Sequence, residues 1–283
     1  MRFGIHSARW GSSKRSLERL RQVGCECLQW FAGNPTGWKP AKLDLEDARL
    51  AQLLMKEYDI GPLVFHTAYL INLASAKEEF YEKSILLLKD TLARAAAYGT
   101  PYVVTHIGSH GGSGIEEGHA RTIAGLQRLQ KEWPDGVMLL LENSAGAGNA
   151  VGTSLEEIGL LLKAMPDSEQ WLGLCFDTAH AYGAGYDLRS AEAVGSVVDL
   201  IDAQIGLGRL RVIHGNDTDV ELGSKVDRHQ NLGQGNIGWD GFTAIISEPR
   251  LSHVAFILET PDVNTEADAE NMKRLKAIRE SNA

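Results

Sequence analysis

The stretch VMLLLE, residues 137–142, is an apolar run that ends abruptly in a carboxylate. Five other apolar runs also end in a histidine or an acid: GPLVFH (61–66), PYVVTH (101–106), LGLCFD (172–177), LRVIH (210–214) and VAFILE (254–259). Short apolar runs without alternation are typical of strands that are covered on both faces in a parallel sheet. The six final residues follow one another at intervals of about 35 to 45 positions. This spacing fits one strand, one helix and two loops per unit.

Two further strand-like runs, at residues 2–6 and 26–31, complete a pattern of eight strands and eight helices. The pattern predicts a (β/α)8 TIM barrel that occupies residues 1–283 as a single domain. An open doubly wound sheet is disfavoured, because the segment after the first strand, HSARWG (6–11), lacks the spaced glycines of a dinucleotide-binding loop. A barrel brings the carboxyl ends of all its strands to one rim. We therefore expect the six terminal side chains to share one pocket at that rim.

Composition narrows the possible functions. The chain has 28 basic and 37 acidic residues and a formal net charge of −9, which argues against general nucleic-acid binding through clustered Lys and Arg. No apolar stretch is long enough to cross a membrane, and the start MRFGIHSARWG has no signal-peptide core, so we expect a cytoplasmic protein that does not bind membranes. The three cysteines, Cys25, Cys27 and Cys175, are expected to be buried packing residues and to form no disulfide framework.

Two short motifs add further donors to the strand ends, namely DTAH (177–180) and DRH (227–229). Residues two apart in an extended segment face the same way, so the acid and the histidine of DRH could hold one cation together. A single histidine at a strand end is more often a packed residue than a ligand, but donors on six successive strand ends indicate a metal site. The nine candidate ligands are His66, His106, Glu142, Asp177, His180, His214, Asp227, His229 and Glu259. Nine donors suit a cluster of several ions better than one ion.

Seven segments carry a family resemblance. They are HTAYLINLAS (66–75), THIGSH (105–110), LENSAGAG (141–148), CFDTAHAYGAGYDL (175–188), HGND (214–217), DRHQNLGQGNIG (227–238) and LETP (258–261). They resemble, in order and over nearly the whole chain, the motifs of the endonuclease IV family of apurinic/apyrimidinic (AP) endonucleases, within the xylose-isomerase-like TIM barrels. The fourth and sixth segments are the most specific of the seven.

The resemblance implies a hydrolase, a DNA-repair phosphodiesterase that binds three zinc ions, with manganese possible at some positions. His66, His106 and Glu142 would hold the first ion. Glu142 would bridge to a second ion and position the attacking water, and the remaining ligands of the second ion would be Asp177, His214 and Glu259. The third ion would be held by His180, Asp227 and His229. The implied reaction is cleavage on the 5′ side of an abasic site in duplex DNA during base excision repair, which leaves a 3′-hydroxyl and a 5′-deoxyribose phosphate.

The resemblance also implies residues that contact DNA. Tyr69 and Leu70 would wedge into the duplex. Arg228, which would point away from the acid and the histidine of DRH in an extended segment, is by itself a candidate phosphate contact. Residues expected to support the ligands without binding metal are His6, Ser109 and His110. The loop FAGNPTGW (31–38) departs from the family because Thr36 and Gly37 stand where an Arg or Gln can occur. We therefore assign no DNA-penetrating role to that loop.

Two other functions remain open on the residues alone. A sugar isomerase or epimerase of the xylose-isomerase-like barrels would use one or two ions, and the extra donors of DTAH and DRH distinguish this chain from it. A non-catalytic binder of abasic sites is disfavoured because every ligand position is filled. We expect a monomer that needs no obligate protein partner, with duplex DNA containing abasic sites as its substrate.

Overall fold

The computed structural model of the protein describes residues 1–9, 11–40 and 42–281. Within this part of the chain, eight parallel strands form a closed barrel in which each strand pairs with the next and the last pairs with the first. The strands are β1 (Arg2–His6), β2 (Cys27–Phe31), β3 (Leu63–His66), β4 (Tyr102–His106), β5 (Met138–Glu142), β6 (Leu172–Asp177), β7 (Leu210–His214) and β8 (Ala255–Leu258). The predicted TIM-barrel fold is confirmed.

The described part of the chain contains nine α-helices. They are α1 (Ser13–Val23), α2 (Leu45–Tyr58), α3 (Glu78–Tyr98), α4 (Ile115–Gln130), α5 (Leu155–Lys163), α6 (Thr178–Ala184), α7 (Ala191–Gln204), α8 (Gly238–Ser247) and α9 (Ala267–Ser281). Short 3-10 turns lie at Leu207–Arg209 and Pro249–Leu251. None of these helices is both long and apolar enough to span a membrane.

Helix α6 is the one helix that the sequence pattern did not predict. Its residues from Thr178 to Gly183 are all buried, so it has no polar face and shows no amphipathic period. The side chain of Asp177 caps its first turn by accepting a hydrogen bond from the His180 backbone N–H at 2.8 Å. Asp177 therefore both ends β6 and caps α6, so no loop separates the strand from the helix in the DTAH motif.

Two helix boundaries carry a local sequence signal. Ser154 followed by Glu157 is a capping motif, and the Ser154 hydroxyl accepts a hydrogen bond from the Glu157 N–H at the start of α5. Helix α3 ends at Gly99, which adopts a left-handed conformation with φ of 63° and is followed by a proline before β4. Local residue choices therefore place the helices between the correct strands.

Both faces of the barrel sheet are buried. The inward face fills the barrel interior with the side chains of Cys27, Val64, Val104, Met138, Leu140, Cys175, Val212, Ala255 and Ile257. The outward face packs against the helices in a larger cluster that includes Phe3, Trp30 and Phe65. The three cysteines are free and buried, as expected. Because both faces are covered, the strands read as continuous apolar runs.

Strand register brings the ends of neighbouring strands level with one another. His106 is paired with Glu142 across β4 and β5, and Asp177 is paired with His214 across β6 and β7. Gly215 follows β7 and lies against β8. A Cβ added at Gly215 would lie 2.0 Å from the ring of Phe256. Only glycine fits at this close approach. The polar residues at the strand ends therefore meet at one rim of the barrel.

Candidate metal centre

The nine predicted ligands lie together at the carboxyl-terminal rim. Three groups have candidate ligand atoms within 4.8 Å of one another: His66 with His106 and Glu142; Glu142 with Asp177, His214 and Glu259; and Asp177 with His180 and His229. The ninth residue, Asp227, has an oxygen 3.1 Å from His180 Nε2 and 3.5 Å from His229 Nε2. The first two groups have the composition that the family resemblance implies. In the third group, Asp177 accompanies His180 and His229, and Asp227 lies beside both of these rings.

Glu142 lies at the centre of the cluster and is buried. Its Oε2 is 3.2 Å from His66 Nε2 and 3.1 Å from His106 Nε2. Its Oε1 is 3.2 Å from His214 Nδ1 and 3.4 Å from His180 Nδ1. The two oxygens of one carboxylate therefore face different groups of histidines. This is the arrangement that a carboxylate needs if it is to bridge two cations.

Three of the histidines are oriented by backbone carbonyls. The Nδ1 atoms of His66, His180 and His229 lie 2.8, 2.9 and 3.2 Å from the carbonyl oxygens of Thr67, Asn143 and Glu259. A hydrogen bond from Nδ1 to a carbonyl fixes the tautomer and leaves the lone pair on Nε2. In each ring that Nε2 points towards the acidic groups of the cluster. The backbone thus prepares these rings to act as ligands.

The charges in the cluster stabilise one another. Burial raises the pKa of Glu142, but the facing rings of His106 and His214 hold this pKa well below its usual range. Burial lowers the pKa of His214, yet Cys175 and the carboxylates of Glu259 and Glu142 hold it well above the ordinary value. Burial also lowers the pKa of His180, which Asp177, Asp227 and Glu142 raise well above the ordinary value. The site therefore favours positive charge among its carboxylates, and a divalent cation could replace the histidine protons.

The donor set fits the implied metal. Imidazole nitrogens and carboxylate oxygens are ordinary zinc ligands, and carboxylate-rich sites also accept manganese. His229 Nε2 is buried and has no hydrogen-bond partner among the described residues. It lies 3.5 Å from an Asp227 oxygen and 3.7 Å from an Asp177 oxygen. A buried nitrogen directed between two acids without a hydrogen bond is suited to bind a cation.

Three buried amides support the cluster, and the sequence analysis did not single them out. Asn143 holds the backbone N–H and carbonyl of Asp177, and Asn216 donates a 2.6 Å hydrogen bond to Asp177 Oδ2. Asn216 Oδ1 also accepts the backbone N–H of Glu259 at 2.9 Å. Gln29, in β2, contacts both His214 and Glu259. The sequence did contain a signal for these residues: Gln29 is a polar amide within an apolar strand, and Asn143 and Asn216 lie one and two residues after a candidate ligand at a strand end.

A cavity of about 410 Å³ opens over the cluster. Phe31 and Tyr69 form part of its wall, with ring centroids 5.1 Å apart and an edge-to-face arrangement. Tyr69 is 56% exposed, whereas Leu70 beside it is half-buried. Arg228 is exposed near the rim, and its Nε is 3.5 Å from Asp219. Of the three predicted DNA-contacting residues, Tyr69 therefore lines the cavity, and both Tyr69 and Arg228 are exposed.

The three predicted supporting residues differ in their positions. His6 reaches the cluster, where its Nδ1 lies 2.7 Å from Glu259 Oε1. Ser109 and His110 lie in the loop after β4. The Ser109 backbone groups bind Asn72, and His110 Nδ1 accepts the Gly114 N–H at the start of α4. The hydrogen bonds described for these two residues hold the loop and do not reach a candidate ligand.

The fold and the site define a class: a closed parallel barrel with a cluster of histidines and acids at its carboxyl-terminal rim. A family model described as xylose isomerase-like TIM barrel matches residues 13–280. The chain is also 46% identical over 278 residues to a protein of Natranaerobius thermophilus named probable endonuclease 4, and the alignment covers 98% of each chain. The chain therefore belongs to the xylose isomerase-like TIM barrel family and, within it, to the endonuclease 4 group.

Two solved structures show the extent of the likeness. The crystal structure of endonuclease IV from Thermus thermophilus matches with a TM-score of 0.86 and 36% identity, covering 99% of this chain and 100% of that chain. A D-tagatose 3-epimerase-like protein matches with a TM-score of 0.73 and 20% identity, covering 100% of this chain and 98% of that chain. The second match reflects the shared barrel fold alone.

Proposed function

We propose that this protein is a metal-dependent AP endonuclease. It hydrolyses the phosphodiester on the 5′ side of an abasic site in duplex DNA and leaves a 3′-hydroxyl and a 5′-deoxyribose phosphate, as a step of base excision repair. Full-length similarity to a protein named probable endonuclease 4 supports this proposal. The observation that carries it is the convergence of all nine donors in one cluster beneath the cavity, including the third group around His180 and His229. A sugar epimerase would not need that third group.

We assign three ions, zinc in the first instance with manganese as an alternative. His66, His106 and Glu142 would hold the first ion, and Glu142 would share the second with Asp177, His214 and Glu259. His180, Asp227 and His229 would hold the third, with Asp177 adjacent to it. Bound ions of this kind lower the pKa of water from about 15.7 to about 7 and neutralise phosphate oxygens. Glu142 is the catalytic ligand because its two oxygens face both of the first two groups.

The chain's own side chains would bind and orient the DNA. Tyr69 and Leu70 lie in the loop after β3, where Tyr69 lines the cavity, and would fill the gap that an abasic nucleotide leaves in the base stack. Arg228 would contact a phosphate from the rim. We further propose that the enzyme acts in the cytoplasm as a monomer without an obligate protein partner.

One assay tests the proposal. A duplex with a single abasic analogue is incubated with the protein, with and without prior treatment by a strong chelator, and a ketohexose epimerisation assay serves as control. We expect incision 5′ to the analogue, its loss after chelation, its recovery with zinc or manganese, and no epimerisation. Epimerisation without incision would replace the proposed function with the sugar-converting alternative.

A further inference from the structure

Gln29 is a buried polar residue in the middle of an otherwise apolar strand. Strand β2 reads CLQWF, and the side chains of Leu28 and Trp30 on either side belong to the core. The Gln29 side chain has no exposed surface, so each of its polar atoms needs a hydrogen-bond partner. Two of its partners are candidate metal ligands. Oε1 lies 2.9 Å from His214 Nε2, and Nε2 lies 2.7 Å from Glu259 Oε1 and 3.0 Å from His6 Nδ1.

The carboxylate decides which way the amide faces. A carboxylate binds a metal in its ionised form, and an ionised carboxylate can only accept hydrogen bonds. The atom of Gln29 that faces Glu259 Oε1 must therefore be the donating nitrogen. The carbonyl oxygen of Gln29 then faces His214 Nε2. Because this oxygen can only accept, His214 must carry a proton on Nε2.

The fixed proton determines which atom of His214 can bind a cation. With Nε2 protonated, a ligand lone pair can lie only on Nδ1. His214 Nδ1 is 3.2 Å from Glu142 Oε1 and 3.2 Å from Glu259 Oε2. His66, His180 and His229 show the opposite arrangement, since their Nδ1 atoms face backbone carbonyls. His214 is thus held by a side-chain amide where these three are held by the backbone.

The Gln29 amide also orients Glu259. The Oε1 atom of Glu259 lies 2.7 Å from the Gln29 nitrogen and 2.7 Å from His6 Nδ1. The other oxygen, Oε2, is left facing His214 Nδ1. Gln29 therefore directs one donor atom from each of two different residues to the same point in the cluster.

We propose that Gln29 is a positioning residue for the second ion, which selects Nδ1 of His214 and Oε2 of Glu259 as its ligand atoms. The inference rests on the metal centre proposed above and adds a residue that makes no contact with DNA or metal. A side chain that only fills space would influence the packing of β2 without preferring one ion over the others. Gln29 instead contacts two ligands of the second group, so its removal should weaken that ion selectively.

The test compares Gln29→Met with Gln52→Met. Methionine keeps the length of glutamine and removes both hydrogen-bonding atoms, and Gln52 is exposed on α2, where its amide binds the Ala97 carbonyl. Zinc binding to each purified protein is measured by competition with a chromophoric chelator. Loss of a partner behind a metal ligand typically weakens binding by about 10- to 100-fold. We expect this loss for one of three ions in Gln29→Met, unchanged binding of the other two, and unchanged binding of all three in Gln52→Met.

A second measurement needs no substitution and holds even if Gln29→Met fails to fold. In the zinc-loaded unaltered protein, 15N NMR of the imidazoles should show His214 protonated on Nε2 and ligated through Nδ1. Ligation through Nε2, or equal weakening of all ions in Gln29→Met, would overturn the inference while the metal centre stands. If the unaltered protein binds no zinc at all, the proposed function fails first and this inference with it.

Discussion

Replacing Asn216 with alanine should lower the free energy of unfolding of the protein by several kcal/mol. Asn216 is fully buried, donates to Asp177 Oδ2 at 2.6 Å and accepts the Glu259 N–H at 2.9 Å. Losing a hydrogen bond to a buried charged group costs about 1.5 to 3 kcal/mol, and leaving a buried N–H unpaired costs about 1 to 3 kcal/mol. Together these losses come to about 2.5 to 6 kcal/mol. For a chain of this size they correspond to a fall in Tm of about 4 to 10 °C.

Thermal melts followed by circular dichroism, at one scan rate and in the presence of chelator, measure this effect without a contribution from bound metal. Asn231→Ala is the matched control, because the Asn231 amide also donates to an aspartate, Asp262, at 2.7 Å but on the surface. The control should change stability by no more than about 0.5 kcal/mol. Equal Tm values for Asn216→Ala and Asn231→Ala would refute the reasoning, because burial would then make no difference to the two amides.

Three further changes test other parts of the molecule. Glu142→Gln should lower the rate of incision by at least about 10²-fold and reduce the number of bound ions, since an amide nitrogen cannot act as the second bridging atom. The control Glu169→Gln, at an exposed acid paired with Arg209, should change neither the rate nor the number of bound ions. A Glu142→Gln protein with normal incision would contradict the bridging role. Burial raises the pKa of Glu26, but Arg279 holds it below the ordinary 4.5, so its contribution to stability is present above that value and is lost as the pH falls. The Tm difference between the unaltered protein and Glu26→Gln should therefore be largest near pH 7 and should shrink as the pH is lowered below 4.5. A difference that does not change with pH would argue against the ion pair. Tyr69→Ala should raise KM for an abasic duplex about tenfold, the loss expected from about 1.4 kcal/mol of aromatic stacking, with metal content unchanged; an unchanged KM would assign Tyr69 to the cavity wall alone.

The strands and their terminal donors could be predicted from the sequence because both signals are local. An apolar run such as residues 137–142 is visible letter by letter, and so is the acid that ends it. The parallel barrel then brings such ends together by topology alone. Helix α6 escaped prediction because it is buried on all sides, so burial removed the polar face on which the helical period depends.

The barrel, the order of its units and the nine donors at its rim can be read from the amino-acid sequence, since each depends on neighbouring residues and on one general rule of topology. Three features emerge only from the folded chain: Asp177 lies between two groups, Ser109 and His110 hold a loop, and one particular nitrogen of His214 faces the acids. These features join residues that are far apart along the chain. Gln29 and His214 are 185 positions apart, and a hydrogen bond between them exists only after the barrel has closed.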